Sequence, residues 1–298
     1  MDRRHFLGAG AATLLAAAGG SLEAKIKGLS EAIPDEGLKI RFMGTGAASG
    51  IGKNGLGRRH SSILVDEKFI IDFTDDSLDM IPEGLHPDTI FYTHSHKDHF
   101  QASAAVKIGA RRVYLNHTWY DMAAKAFKDA AKEAGAEMPE IIPTYPGTPV
   151  QMGDITVLPL LANHPTEYMM EESQIYLLEK GGVRLLYATD TAGIPGRSAR
   201  IIGIDSHRKG YGITALIMEA TMGVGHEDDF RLFCHSSIDT VARIVRVMQE
   251  TGRLHMPAGQ AVWITHMAKS LHKSGDVFPE PLKAASDGLE VIFRAPKE

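Results

Sequence analysis

Three imidazoles and a carboxylate stand within six residues in Thr93-His94-Ser95-His96-Lys97-Asp98-His99. Neutral imidazole nitrogens and carboxylate oxygens are the usual donors to Zn, Mn or Fe. Alternate residues of an extended segment point the same way, so His94 and His96 can hold one ion together. Asp98 and His99 are expected to turn the other way, onto the start of a helix, and can hold a second. Three further donors each follow an apolar run: His164 in Ala162-Asn163-His164-Pro165, Asp190 in Thr189-Asp190-Thr191, and His266 in Ile264-Thr265-His266. Open α/β sheets place ligands at the C-terminal ends of their strands. Singly, each of these three reads as a loop residue or a cap. Together with the first cluster they read as the missing ligands of a site for two divalent ions.

The elements that must position these residues are short apolar runs rich in Val, Ile, Leu and Tyr, bounded by Gly, Pro, Asp or Lys. Strands are predicted at Leu38–Met43, Ser62–Asp66, Phe69–Phe73, Thr89–Thr93, Arg112–Leu115, Ile155–Leu161, Gln174–Glu179, Val183–Thr189, Thr214–Glu219, Ala261–Thr265 and Leu289–Arg294. Glu179-Lys180-Gly181-Gly182 reads as a hairpin turn. Trp119, Met122, Ala123, Ala126, Phe127, Ala130 and Ala134 recur at helical spacing, with Asn116 before and Gly135 after. Ser237–Glu250 is a second helix, and shorter ones are expected after Asp98 and Pro195. The Gly- and Pro-rich stretches 44–57 and 139–149 read as loops. Residues 25–298 are therefore expected to form one layered α/β domain with mixed sheets.

The chain has 298 residues, a formal net charge of −5 and a hydrophobic fraction of 44%. Such a composition gives an ordinary globular core and no basic face for nucleic acid. Cys234 is the single cysteine, which excludes an intramolecular disulfide and a multi-cysteine metal site. Residues 1–24 read as an export signal: Arg3-Arg4 followed by Phe6-Leu7, then an apolar Ala-rich run to Ala18. The pair of arginines resembles a twin-arginine signal, although Asp2 and Gly8 depart from its usual residues. Cleavage is expected after Ala18 or Ala24, and the run is too short for a permanent anchor, which needs about 20 residues. The expected partner is thus the twin-arginine export machinery, with a periplasmic or secreted location, and Lys53, Arg58, Arg59 and His60 add a small anionic substrate if they steer one. The twin-arginine route carries folded proteins, which suits one that collects its metal before leaving the cytoplasm.

His94-x-His96-x-Asp98-His99 resembles the H-x-H-x-D-H signature of the metallo-β-lactamase superfamily of metal-dependent hydrolases, and Asp72, His164, Asp190 and His266 follow in the order of its further motifs. The resemblance runs from about Leu38 to Arg294. It implies a four-layer αββα sandwich, two mixed sheets flanked by helices, with a dinuclear site between the sheets. It is strongest to the phosphodiesterase branch, which includes tRNA 3′-processing nuclease and a phosphoribosyl cyclic phosphodiesterase. The residues that carry it are Gly44-Thr45-Gly46, Arg59-His60-Ser61-Ser62, Leu158-Pro159-Leu160 and Asp190-Thr191-Ala192-Gly193. Cys234-His235-Ser236-Ser237 matches the place of one more active-site histidine, a role His235 inherits by the resemblance. The cysteine-rich zinc loop of the cyclic phosphodiesterase is missing here.

The implied scheme has His94, His96 and His164 on one ion, Asp98, His99 and His266 on the other, and Asp190 between them. Two such cations, Zn or Mn first among the choices, lower the pKa of a shared water toward neutrality. His235 serves as the proton donor to the leaving group, while Asp72 orients the metal loop. Catalysis is thereby expected from Asp98, Asp190 and His235. Hydrolysis of a lactone, thioester, sulfate ester or β-lactam would use the same ligands, as would a non-catalytic carrier. The glycine-rich opening and His235 favour a phosphodiester. Export, net acidity and the absence of a long basic arm disfavour tRNA. Lys53, Arg58, Arg59 and His60 either steer an anion or form a solvated loop. Glu219 reads as a residue near the site, in a packing or supporting role, and Met169-Met170 as either part of a lid or, more commonly for methionine, gap-filling core.

Overall fold

A computed structural model describes residues 37–48, 57–205 and 212–297. The export signal expected at 1–24, the first residues of the domain expected at 25–298, and Lys53 lie outside the described residues. Fourteen strands form two sheets. The first contains β1 (Leu38–Gly44), β2 (Ser62–Val65), β3 (Phe69–Ile71), β4 (Thr89–Phe91), β5 (Arg112–Asn116), β6 (Glu140–Thr144) and β14 (Glu290–Phe293), in the order β14-β1-β2-β3-β4-β5-β6. The second contains β7 (Val150–Met152), β8 (Ile155–Leu161), β9 (Gln174–Lys180), β10 (Val183–Ala188), β11 (Ala215–Glu219), β12 (Val262–Thr265) and β13 (Leu282–Ala284), in the order β13-β12-β11-β10-β9-β8-β7. Each sheet is half antiparallel and half parallel. In the first, pairing turns parallel at β3/β4, and in the second at β10/β11.

The strand sequences explain the layers. Phe42, Ile63, Phe69, Ile71 and Phe91 from the first sheet pack on Val157, Tyr176, Leu185, Tyr187 and Ile217 from the second. The alternate residues of the same strands face outward onto helices. Leu64, Ile70 and Val113 cover Ala104 and Ala105 of α1 (Ala102–Lys107) and Phe127 of α2 (Tyr120–Ala134). Leu177, Leu186, Leu216 and Ile264 cover Ile202 of α3 (Gly196–Ile202) and Val241, Val245 and Met248 of α4 (Ile238–Glu250). The architecture is therefore the four-layer αββα sandwich. Among the described residues, no helix is long and apolar enough to cross a membrane.

The expected strands all form, with ends moved by a residue or two. β6, β7 and β13 were not anticipated, and each is the outermost strand at an edge of its sheet. Pro143 sits inside β6, where a missing N–H costs little because one side of the strand is unpaired. That proline made 139–149 read as loop. The hairpin at Gly181-Gly182 is present, with Lys180 paired to Val183 and both glycines at positive φ. Gly135 caps α2 in the left-handed conformation, and the Ser237 side chain accepts from the Thr240 N–H at the start of α4. α1 begins only at Ala102, so Asp98 and His99 occupy the turn before the helix rather than its first residues.

Candidate metal centre

β4 ends at Phe91, and the chain then folds back so that the N–H groups of His99 and Phe100 both donate to the His96 carbonyl, at 2.9 and 2.8 Å. This turn buries His94 and His99 completely. His164 arrives from the end of β8, Asp190 from β10 and His266 from β12, so six strand ends, counting those bearing Asp72 and Glu219, meet at one place. Asp72, Asp190 and His266 all have positive φ, at 58°, 44° and 52°. Non-glycine residues rarely adopt this conformation, and its clustering at one site is the pattern of backbone held for a purpose.

Two donor groups are separable. The His94 Nε2 lies 3.0 Å from His96 Nδ1, and His164 Nε2 lies 3.1 Å from the same atom. Asp98, His99 and His266 form the other group, with donor atoms within 4.8 Å of one another. Asp190 stands between them: its Oδ2 is 2.6 Å from His99 Nε2, 3.2 Å from His266 Nε2 and 3.6 Å from His94 Nε2. The seven residues singled out as ligands are thus brought together.

Supporting contacts fix which nitrogen of each ring faces inward. His99 Nδ1 donates to Asp72 Oδ2 at 2.7 Å. Thr93 Oγ1 donates to Asp72 and so accepts from His94 Nδ1, at 2.9 Å. On the second sheet, Thr221 Oγ1 donates to Glu219 Oε2 at 2.7 Å and accepts from His266 Nδ1 at 2.8 Å. His164 Nδ1 is 3.1 Å from the Cys234 carbonyl, which can only accept. The rings of His94, His164 and His266 therefore carry a proton on Nδ1 and can turn an Nε2 lone pair to the centre, whereas at His99 burial opposes the cation but the charges of Asp190, Asp72 and Asp98 outweigh it and push the pKa well above the usual imidazole range. Lone pairs of His94 and His164 converge on His96 Nδ1, an arrangement a cation relieves. The buried His99 Nε2, His266 Nε2 and Asp190 Oδ1 have no well-directed hydrogen-bond partner, which also fits cation ligation.

A family model for the β-lactamase superfamily domain matches residues 80–267, more than half of the chain. The chain belongs to the metallo-β-lactamase superfamily. It superposes on Zn(2+)-bound PqqB from Methylobacterium extorquens with a TM-score of 0.62 and 16% identity, over 85% of this chain and 99% of that one. Human tRNase Z, short form, gives 0.60 and 15%, covering 86% and 99%. The metallo-β-lactamase fold protein YhfI from Bacillus subtilis gives 0.58 and 15%, again covering 86% and 99%. At these identities the likeness shows the fold. A search of curated proteins gave no match.

Within this metallo-β-lactamase-fold hydrolase, His235 extends the cluster. Its Nδ1 lies 3.2 Å from both Asp190 Oδ1 and Glu219 Oε1. Burial disfavours its cation, but the hydrogen bonds and charges of these two carboxylates outweigh burial and push its pKa up to about 11. Burial likewise opposes the Asp190 anion, yet the facing imidazoles of His266, His164 and His99 hold its carboxyl well below the usual range. Burial and the neighbouring His99 keep His94 neutral, as a metal ligand must be.

Glu219 is the functional residue whose importance the sequence understated. It is fully buried, and it accepts from the N–H groups of Thr191, Thr221 and Ser236 as well as from Thr221 Oγ1. A carboxylate ending a wholly apolar strand was the available signal. Arg58 and Arg59 are both engaged within the protein. Arg58 donates to Thr45 Oγ1 and the Ala285 carbonyl, and Arg59 to both oxygens of Asp79. The Gly44-Thr45-Gly46 turn is packed too closely for side chains: a Cβ on Gly44 would lie 1.8 Å from the His60 carbonyl oxygen. Thr45 O accepts from the Met267 N–H at 2.9 Å, so this turn braces the residue after His266. Cys234 and His235 follow a 3-10 turn, Phe230–Phe233, just before α4. Met169 and Met170 are 98% and 82% exposed, which overturns their reading as core.

Proposed function

We propose that this hydrolase cleaves a small anionic phosphodiester at a centre for two divalent ions, Zn or Mn. His94, His96 and His164 would hold one ion, Asp98, His99 and His266 the other, with Asp190 shared. Bound ions would supply Lewis-acid activation of water and neutralisation of phosphoryl charge. The observation that carries the phosphodiester reading is His235, whose Nδ1 lies 3.2 Å from both Asp190 Oδ1 and Glu219 Oε1 at the rim of the cluster. An alkoxide departing from phosphorus needs a proton, and a His235 ring whose Nδ1–H donates to Glu219 would leave Nε2–H to give one when the ring is protonated. Asp72 and Glu219 anchor the imidazole protons of the ligands, so the rings are oriented before substrate arrives.

The test is a substrate panel on the full chain loaded with Zn or Mn: a chromogenic phosphodiester, a lactone and a β-lactam, each with and without chelator. Chelator-sensitive turnover of the diester alone is expected, whereas turnover confined to the lactone or β-lactam overturns the substrate class. We also propose that residues 1–24 direct export through the twin-arginine route to the periplasm or beyond. Mass spectrometry of the exported protein should find a first residue following Ala18 or Ala24, and an intact Met1 would contradict it.

A further inference from the structure

The segment after His164 leaves the metal centre, forms an exposed tip and returns to β9. Its return is firmly tied. The Glu171 carboxylate accepts from the Ser95 N–H at 2.7 Å and from Ser95 Oγ at 2.5 Å. Ser95 is the residue between His94 and His96. The Glu172 N–H donates to Thr118 Oγ1 at 2.9 Å, and Thr166 Oγ1 donates to Glu171 at 2.9 Å. The tip Tyr168-Met169-Met170 is apolar and exposed. Such a segment, anchored at both ends and apolar at its exposed middle, is not explained by packing.

The tip lines a cavity of about 670 Å³ together with Trp119, Tyr145 and Glu171. Tyr145 is half-exposed and its ring is stacked on His117, with centroids 4.6 Å apart. The volume is in the ordinary range for small-molecule sites, about 300–1,000 Å³. Aromatic faces and flexible methionines suit an apolar group of variable shape. Glu171 both lines the cavity and bonds Ser95, the residue between His94 and His96, so the cavity adjoins the turn that carries those two candidate ligands.

We infer that this cavity is the subsite for an apolar, aromatic substituent of the anionic substrate, with Tyr145, Met169 and Met170 as its specificity-determining contacts. The inference rests on the phosphodiester reading and narrows it: the substrate is an ester with its charge at the metal centre and a ring beside it. Exposed tips of this kind also serve self-association, and that alternative is separable.

The test uses two inert anions, benzylphosphonate and methylphosphonate, titrated by calorimetry into the full chain loaded with Zn or Mn. Benzylphosphonate should bind about 10-fold more tightly, and the Met169→Ser/Met170→Ser variant should bring the ratio close to one. Circular dichroism and metal content establish that the variant is folded and loaded. Equal affinities in the unmodified protein, failure of both anions to bind, or a preference that survives the double substitution each overturns the subsite. So does sedimentation showing a dimer that the substitutions dissociate. Benzyl and methyl p-nitrophenyl phosphates are assayed in parallel. If neither is hydrolysed while the benzylphosphonate preference holds, the phosphodiester reading falls and the apolar subsite stands.

Discussion

The two sheets contribute to the site in contrasting ways. The first sheet delivers His94, His96, Asp98 and His99 on one tight turn after β4, with Asp72 from the neighbouring β3 as their anchor. The second delivers His164, Asp190 and His266 from three separate strands, with Glu219 of β11 as anchor. Both halves use a buried carboxylate that reaches one ring directly and another through a threonine hydroxyl: Asp72 to His99 and through Thr93 to His94, Glu219 to His235 and through Thr221 to His266. The anchors therefore look alike, but their clients differ. Those of Asp72 are both candidate metal ligands. Glu219 holds one ligand and the candidate proton donor, so the second half joins binding to chemistry.

Removing the residue common to both halves has the largest expected effect. Asp190→Ala should lose metal and turnover together, by more than the roughly 100-fold expected from loss of a supporting contact. Metal analysis beside an initial-rate assay measures both, and full activity in the variant would break the account of a shared ligand. Next in size is His235→Asn. Turnover of a diester with an alkoxide leaving group should fall at least about 100-fold, while one with a p-nitrophenolate leaving group, which needs no proton, should fall far less. Equal losses on both would deny His235 the role of acid.

The two anchors then give the sharpest contrast. Asp72→Asn and Glu219→Gln should each cost about 10- to 100-fold in metal affinity or rate. Only Glu219→Gln should add the leaving-group dependence seen with His235→Asn. The smallest effect concerns the outer helices. Ser237→Ala removes the cap of α4, two residues after His235, and should cost about 1 kcal/mol in denaturant unfolding. Gln101→Ala at the start of α1 should cost much less, because Gln101 makes no capping hydrogen bond.

The same contrast explains what could be read from the residues alone. Four donors within one short run are legible as they stand, and so are central strands that must be apolar on both faces, such as β3, β4, β10 and β11. His164, Asp190 and His266 were legible only as partners of that run, because nothing local distinguishes them from loop residues. Glu219 was legible only as a packing or supporting residue, since a lone acidic residue ending an apolar strand does not reveal that five hydrogen bonds await its carboxylate. β6, β7 and β13 escaped because edge strands are short and tolerate proline. For Met169 and Met170 the sequence offered lid and core alike, and the exposure decides against core. Methionine fits cores and ligand surfaces equally, and only the anchoring of Glu171 on Ser95 shows where that loop goes.

The central claim is that seven side chains from two sheets hold a pair of cations with Asp190 between them. Metal stoichiometry of the purified full chain, measured by plasma emission after equilibration with Zn or Mn and removal of free ions, tests it most directly. Two ions per chain, falling to one or none in Asp190→Ala, is the predicted result. A single ion or none in the unmodified protein, or two ions retained without Asp190, would contradict it.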